Sequence, residues 1–97
     1  MKVLALGSLS KPLTDEQKKQ IMPKEVPDTL RLYLDGRIEQ FWFSQELPGV
    51  IFLMNVDSVE HAKATLDSLP LTEQGLMSFK LLPVGPLSPL GLLLQPK

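Results

Sequence analysis

Lys24 and Glu25 stand side by side between Pro23 and Pro27, and this is where the residue types and their spacing best suit chemistry. Two closely spaced prolines are expected to break or restart a helix over Met22 to Pro27, and irregular backbone there turns polar groups toward a cleft between helix and sheet. A carboxylate partly withdrawn from water at such a point suits proton shuttling, with Lys24 attracting an anionic group. The competing reading is a solvated Lys/Glu pair with no chemical role. Phe41, Trp42 and Phe43 form the aromatic concentration of the chain. Gln40 and Trp42 share one face of a strand there, where they line a pocket for a small organic ligand or, alternatively, serve core and subunit contacts.

Other constellations are scarce. His61, the single histidine, opens an amphipathic helix as Ser58-Val59-Glu60-His61, where an exposed or capping position accounts for it without catalysis. One histidine with no companion cluster of carboxylates makes no metal site, and the expectation is no metal and no cofactor. Gly85-Pro86 and Gly91 are turn signals without a phosphate-cradling loop, and spacing suggests no Ser/His/Asp triad. Tyr33 reads as a helix-face residue and Asn55 as a hydrogen bonder at a strand end; neither specifies a reaction.

These side chains must be positioned by one domain, because 97 residues do not supply two independent cores. Hydrophobic residues are 43% and charged residues 22%, the profile of a folding chain. Ten Lys and Arg against eleven Asp and Glu leave no basic stripe, so neither nucleic acid nor an acidic membrane is an expected partner. The lack of cysteine excludes disulfides and thiolate chemistry and agrees with a cytoplasmic location. Ser10, Lys11 and Pro12 interrupt the apolar start before a signal segment is complete, and Pro83, Pro86 and Pro89 preclude a spanning helix in the leucine-rich end. Residues 83–97 read as an apolar Pro/Leu-rich tail that needs cover, expected to pack on a neighbouring subunit.

The first run places Val3, Ala5 and Gly7 on one side of a pleat and Leu4 and Leu6 on the other, as in a central strand. Thr14-Asp15-Glu16-Gln17 is a capping-box pattern that opens a helix. Val26, Leu30, Tyr33 and Leu34 then fall on one helical face, and Asp35-Gly36 supplies the stop. Ile38 to Phe43 alternates as a strand, with Ile38, Gln40 and Trp42 on one face and Glu39, Phe41 and Phe43 on the other. Pro48-Gly49 turns the chain into the apolar run Val50 to Val56. Asp57 or Ser58 caps a helix whose apolar face is Val59, Ala62, Leu66 and Leu69, and Leu76 to Leu82 is the last strand.

The order strand, helix, strand, strand, helix, strand predicts an α+β, ferredoxin-like βαββαβ antiparallel sheet with both helices on one face. The opposite face remains largely aliphatic, more than a monomer in water usually exposes, so a second copy is expected to cover it in a dimeric barrel.

The segments Gly36-Arg37-Ile38-Glu39-Gln40-Phe41-Trp42-Phe43, Asn55-Val56-Asp57-Ser58, Ser68-Leu69-Pro70-Leu71 and Leu82-Pro83-Val84-Gly85-Pro86-Leu87 resemble the muconolactone isomerase-like family, in element order over most of residues 1–94. The resemblance implies ferredoxin-like subunits that pair through their sheets into dimeric α+β barrels and assemble into larger homo-oligomers. It also implies an isomerase that moves a C=C bond in an unsaturated lactone by removing a proton beside a carbonyl and returning it elsewhere. On that resemblance Glu25 matches the acidic position of the first helical segment, Trp42 the strand tryptophan, and Lys24 stands near a basic position. The departures are Glu39, Gln40 and Phe43 where basic and histidine-containing positions occur, and Leu87-Ser88-Pro89 where a basic-histidine pair is expected. These losses remove carboxylate-binding and proton-handling groups, and an inherited fold does not secure an inherited activity.

The expectation is therefore an oligomeric protein acting on a small unsaturated lactone or organic acid, with Glu25 as the catalytic residue and Lys24, Gln40 and Trp42 binding substrate. The alternative is a non-catalytic ligand-binding or scaffold protein of the same fold.

Overall fold

Thr14 caps the first helix as its sequence predicts. Its Oγ1 accepts from the Gln17 amide at 3.1 Å while the Gln17 side chain accepts from the Thr14 amide at 2.9 Å. The computed structural model describes residues 1–46 and 49–85. The element order is β1 (Lys2–Leu9), α1 (Asp15–Leu34), β2 (Ile38–Phe43), β3 (Gly49–Asn55), α2 (Val59–Asp67), α3 (Pro70–Glu73) and β4 (Met77–Val84). The strands form one antiparallel sheet in the order β2-β3-β1-β4, the α+β ferredoxin-like arrangement expected. The expected turn at Pro48 and the tail from Pro86 onward lie outside the described residues. Pro83 and Val84, expected in the tail, belong to β4, where an edge strand tolerates a proline that donates nothing to the ladder.

Helix α1 is not broken between Met22 and Pro27; it runs unbroken from Asp15 to Leu34 with both prolines inside it. Pro23 and Pro27 are one turn apart and both exposed, so the acceptors they leave unpaired lie on the solvent side. The opposite side carries Ile21, Glu25 and Leu32, all buried, and packing there holds the helix through the two lost bonds. The helix stops in a Schellman turn. The Gly36 amide donates to Tyr33 O at 3.2 Å and the Arg37 amide to Leu32 O at 3.0 Å, with Gly36 at φ +89°.

The main core is the face of the sheet under the helices. Val3, Ala5, Phe52, Met54 and Ile38 meet Leu32 from α1 and Ala62, Leu66 and Leu69 from or beside α2. Ser58, rather than Asp57, caps α2, accepting from the His61 amide at 3.0 Å. A second cluster joins Ile21, Leu71 and Met77, so α3, which the sequence reading did not include, closes the end of the molecule between α1 and the start of β4.

The strict alternation expected of β2 fails at one residue. Ile38 pairs with Met54 but Gln40 pairs with Leu53, which makes Glu39 an extra residue in a bulge. Ile38 therefore shares the helix-covered face with Phe41 and Phe43, while Gln40 and Trp42 lie on the other face beside Leu53 and Ile51. That open face carries Leu4, Leu6 and Leu82 as well, with the Lys2–Glu39 ion pair at its end.

The helical face Val26, Leu30, Tyr33 and Leu34 is exposed rather than packed in the core, because α1 turns Ile21, Glu25 and Leu32 inward instead. Tyr33 makes an edge contact with Phe41 at 5.0 Å between ring centroids.

Candidate functional site

Between α1, α3 and the sheet lies a cavity of about 300 Å³. Its floor includes Phe52, Leu71, Met77 and Phe79, and its rim is built by Val26, Leu30, Phe41 and Phe43, all of them exposed. The walls are almost wholly carbon. The aromatic rings reach it because the Glu39 bulge turns Phe41 and Phe43 to this face, and because Gly7 leaves room for Phe79: a Cβ on Gly7 would stand 2.5 Å from the Phe79 ring. Phe79 in turn packs against Phe52 with centroids 5.6 Å apart.

Glu25 is the ionisable side chain among the described lining residues, and it is 7% exposed. Helical geometry brings Thr29 over it one turn later, and the Thr29 hydroxyl donates to Glu25 Oε2 at 3.0 Å. The Leu71 amide donates to Oε1 at 2.8 Å. Leu71 is the second residue of α3, whose N-cap Leu69 has no side chain able to accept from the backbone. The carboxylate thus caps a helix from a distance. A carboxylate carries about four acceptor positions. Two protein donors leave room for more.

The other predicted residues are not gathered here. Lys24 points to solvent and binds Asp28 at 2.6 Å, an arrangement whose hydrogen bond and charge hold the Lys24 ammonium above its ordinary pKa. Gln40 lies on the open face of the sheet. Trp42 borders the cavity, although its pairing with Ile51 assigns its side chain to that same open face. His61 keeps a local role, its Nδ1 accepting from the Asp57 amide at 3.2 Å. Among the described residues no group of acidic, histidine or cysteine side chains could hold a metal, and no helix is long and apolar enough to cross a membrane. Thr29 and the Leu71 amide were not anticipated. The four-residue spacing from Glu25 offered a signal for Thr29; nothing local to residue 71 offered one.

The chain is thus an α+β, ferredoxin-like sheet with its helices on one side and a cavity between the first helix and the sheet, and its fold is similar to that of muconolactone isomerase. The crystal structure of muconolactone isomerase superposes with a TM-score of 0.73 at 21% identity, covering 87% of this chain and 88% of that one. The 5-chloro-2-hydroxyhydroquinone dehydrochlorinase of Burkholderia phenoliruptrix, in complex with 2,5-dihydroxybenzoquinone, superposes with a TM-score of 0.69 at 13% identity, covering 88% and 94%. At these identities the likeness is one of fold. No family model matches the sequence, and no curated protein matches it.

Proposed function

We propose that this chain binds a small organic compound in the Glu25 cavity and that Glu25 transfers a proton in moving a C=C bond, as in an isomerase acting on a small unsaturated lactone or organic acid. The observation that carries the reading is a buried carboxylate with unused acceptor capacity at the base of an otherwise apolar cavity. The Glu25 carboxylate takes a proton from a carbon beside the substrate carbonyl. The C–H pair becomes the new C=C bond of a dienolate, and the proton returns to the far carbon, so nothing is gained or lost overall. Thr29 and the Leu71 amide hold the carboxylate in place, and Trp42 edges the wall. The crystal structures of similar fold, an isomerase and a dehydrochlorinase, lend support by analogy of fold.

A second reading has its own observation. Because Glu25 caps α3, the same carboxylate is accounted for in a non-catalytic ligand-binding or scaffold protein. Following ultraviolet absorbance over a panel of unsaturated lactones separates the two. Under the enzyme reading Glu25→Gln lowers turnover by about 10²- to 10⁴-fold. Absence of turnover in the wild-type protein, with ligand binding unchanged in Glu25→Gln, establishes the scaffold instead.

Assembly belongs to either reading. The open sheet face presents Leu4, Leu6, Ile51, Leu53, Leu82 and Trp42, with Trp42 and Leu82 nearly half exposed. A second copy placed about 10 Å away, face to face, would bury it and make the pair a barrel-like homodimer. In this proposal the Pro/Leu-rich tail packs on a neighbouring subunit and the cysteine-free chain works in the cytoplasm.

A further inference from the structure

We propose that the cavity selects a neutral, mostly apolar single-ring molecule carrying one hydrogen-bond donor, a phenol or an enol, and rejects carboxylate anions. The inference rests on the reading of the Glu25 cavity as a ligand site; of the substrates proposed for it, the organic acid is dropped and a lactone is kept only in a neutral form that carries an enol hydroxyl.

Glu25 has acceptor capacity that the protein leaves unused. Its two oxygens accept from the Leu71 amide and the Thr29 hydroxyl, which fills about half of a carboxylate's acceptor positions. The remaining lining, from Val26 and Leu30 to Phe52 and Phe79, offers carbon. A neutral hydroxyl entering the cavity occupies a third acceptor position with a charge-assisted hydrogen bond, about twice as strong as a bond between neutral groups.

An anion meets the opposite situation. None of the described lining residues is cationic, and Lys24, the nearest cation in sequence, is engaged by Asp28 on the solvent side. The sequence outside the described residues holds a single cation, Lys97. A carboxylate placed among these walls would face Glu25 in a medium of low polarity without a compensating charge, and both desolvation and like-charge repulsion oppose it. The substrate class therefore departs from the organic acid that Lys24 was expected to attract.

Size and shape agree with one ring. The volume, about 300 Å³, is at the lower end for small-molecule sites, and the Phe52 and Phe79 rings provide flat aromatic surface beside Glu25.

The test is a calorimetric titration of the full chain at neutral pH with 4-methylphenol, 4-methylanisole and 4-methylbenzoate. The three share a ring and differ in donor and charge. Methylphenol is expected to bind about tenfold or more tightly than either of the others and to shift the Leu71 amide resonance. In Glu25→Gln, its folding checked by thermal melting, the phenol preference shrinks and the benzoate gains affinity. Should that variant not fold, the ranking of the three probes on the wild-type protein decides. Methylanisole equal to methylphenol overturns the donor requirement, and methylbenzoate binding as well as methylphenol overturns the exclusion of anions; both leave the ligand site standing. No binding by any probe at millimolar concentration overturns this inference and the ligand-site reading together.

Discussion

Glu25 Oε1 and the Leu71 amide meet at 2.8 Å across 46 positions of sequence, and this bond fastens α1 to the four-residue helix α3. Leu71 is also a cavity-lining residue, so one bond sets the position of the carboxylate and of a wall beside it. A helix this short has little stability of its own and depends on such an external partner.

Removing the carboxylate should therefore destabilise the protein whatever its catalytic role. Glu25→Ala leaves the buried Leu71 amide unpaired, at a cost of about 1–3 kcal/mol, whereas Glu25→Gln keeps an acceptor and loses less. Urea unfolding gives the two midpoints, and hydrogen exchange at the Leu71 amide should accelerate in the alanine variant. An unchanged midpoint for Glu25→Ala would remove the capping role.

Gly7→Ala tests the aromatic floor. The added methyl would lie 2.5 Å from the Phe79 ring, and with Phe52 behind it the ring must move at a cost of about 1–3 kcal/mol. The expected result is a lower melting temperature together with weaker binding of methylphenol. Full affinity in a destabilised variant would show that Phe79 does not shape the ligand's place.

The open sheet face makes a prediction about assembly. Leu53→Lys puts a charge in the middle of an apolar patch and should convert a wild-type dimer to monomer, read by sedimentation across a concentration series. A wild-type protein that sediments as a stable monomer at micromolar concentration would contradict the proposed barrel.

Thr72 offers a gain. Its Oγ1 is buried with no hydrogen-bond partner among the described residues, so replacing the hydroxyl by a methyl in Thr72→Val should raise stability by about 1 kcal/mol in urea unfolding. A loss of stability would mean that the hydroxyl has a partner.

Most of the sheet and the two larger helices were legible from residue type alone. Thr14 with Gln17, Gly36, Ser58 and the alternation of Val3 and Ala5 against Leu4 and Leu6 each act locally, over the few residues where sequence order and spatial order coincide. The prolines misled because their effect depends on direction. Pro23 and Pro27 face water while Ile21 and Leu32 hold the other side, and no rule about proline by itself contains that fact. The stripe from Val26 to Leu34 looked like a core face, yet part of it forms the rim of the cavity instead. For the site, Glu25 was visible as a carboxylate in an unusual setting. Its bond to Leu71 was not, since α3 could be placed against α1 only by the folded chain.

The bulge at Glu39 acts as a half-step in the phase of β2. Deleting that one residue would leave Ile38–Met54, Gln40–Leu53 and Phe41–Phe52 in register and the aromatic rings where they are. Straightening the bulge with all six residues in place would instead send Phe41 and Phe43 across the sheet and bring Gln40 and Trp42 in under the helices. A binding wall and an assembly surface are thus two settings of the same six letters, chosen by whether the strand keeps its bulge and not by any change of aromatic residue.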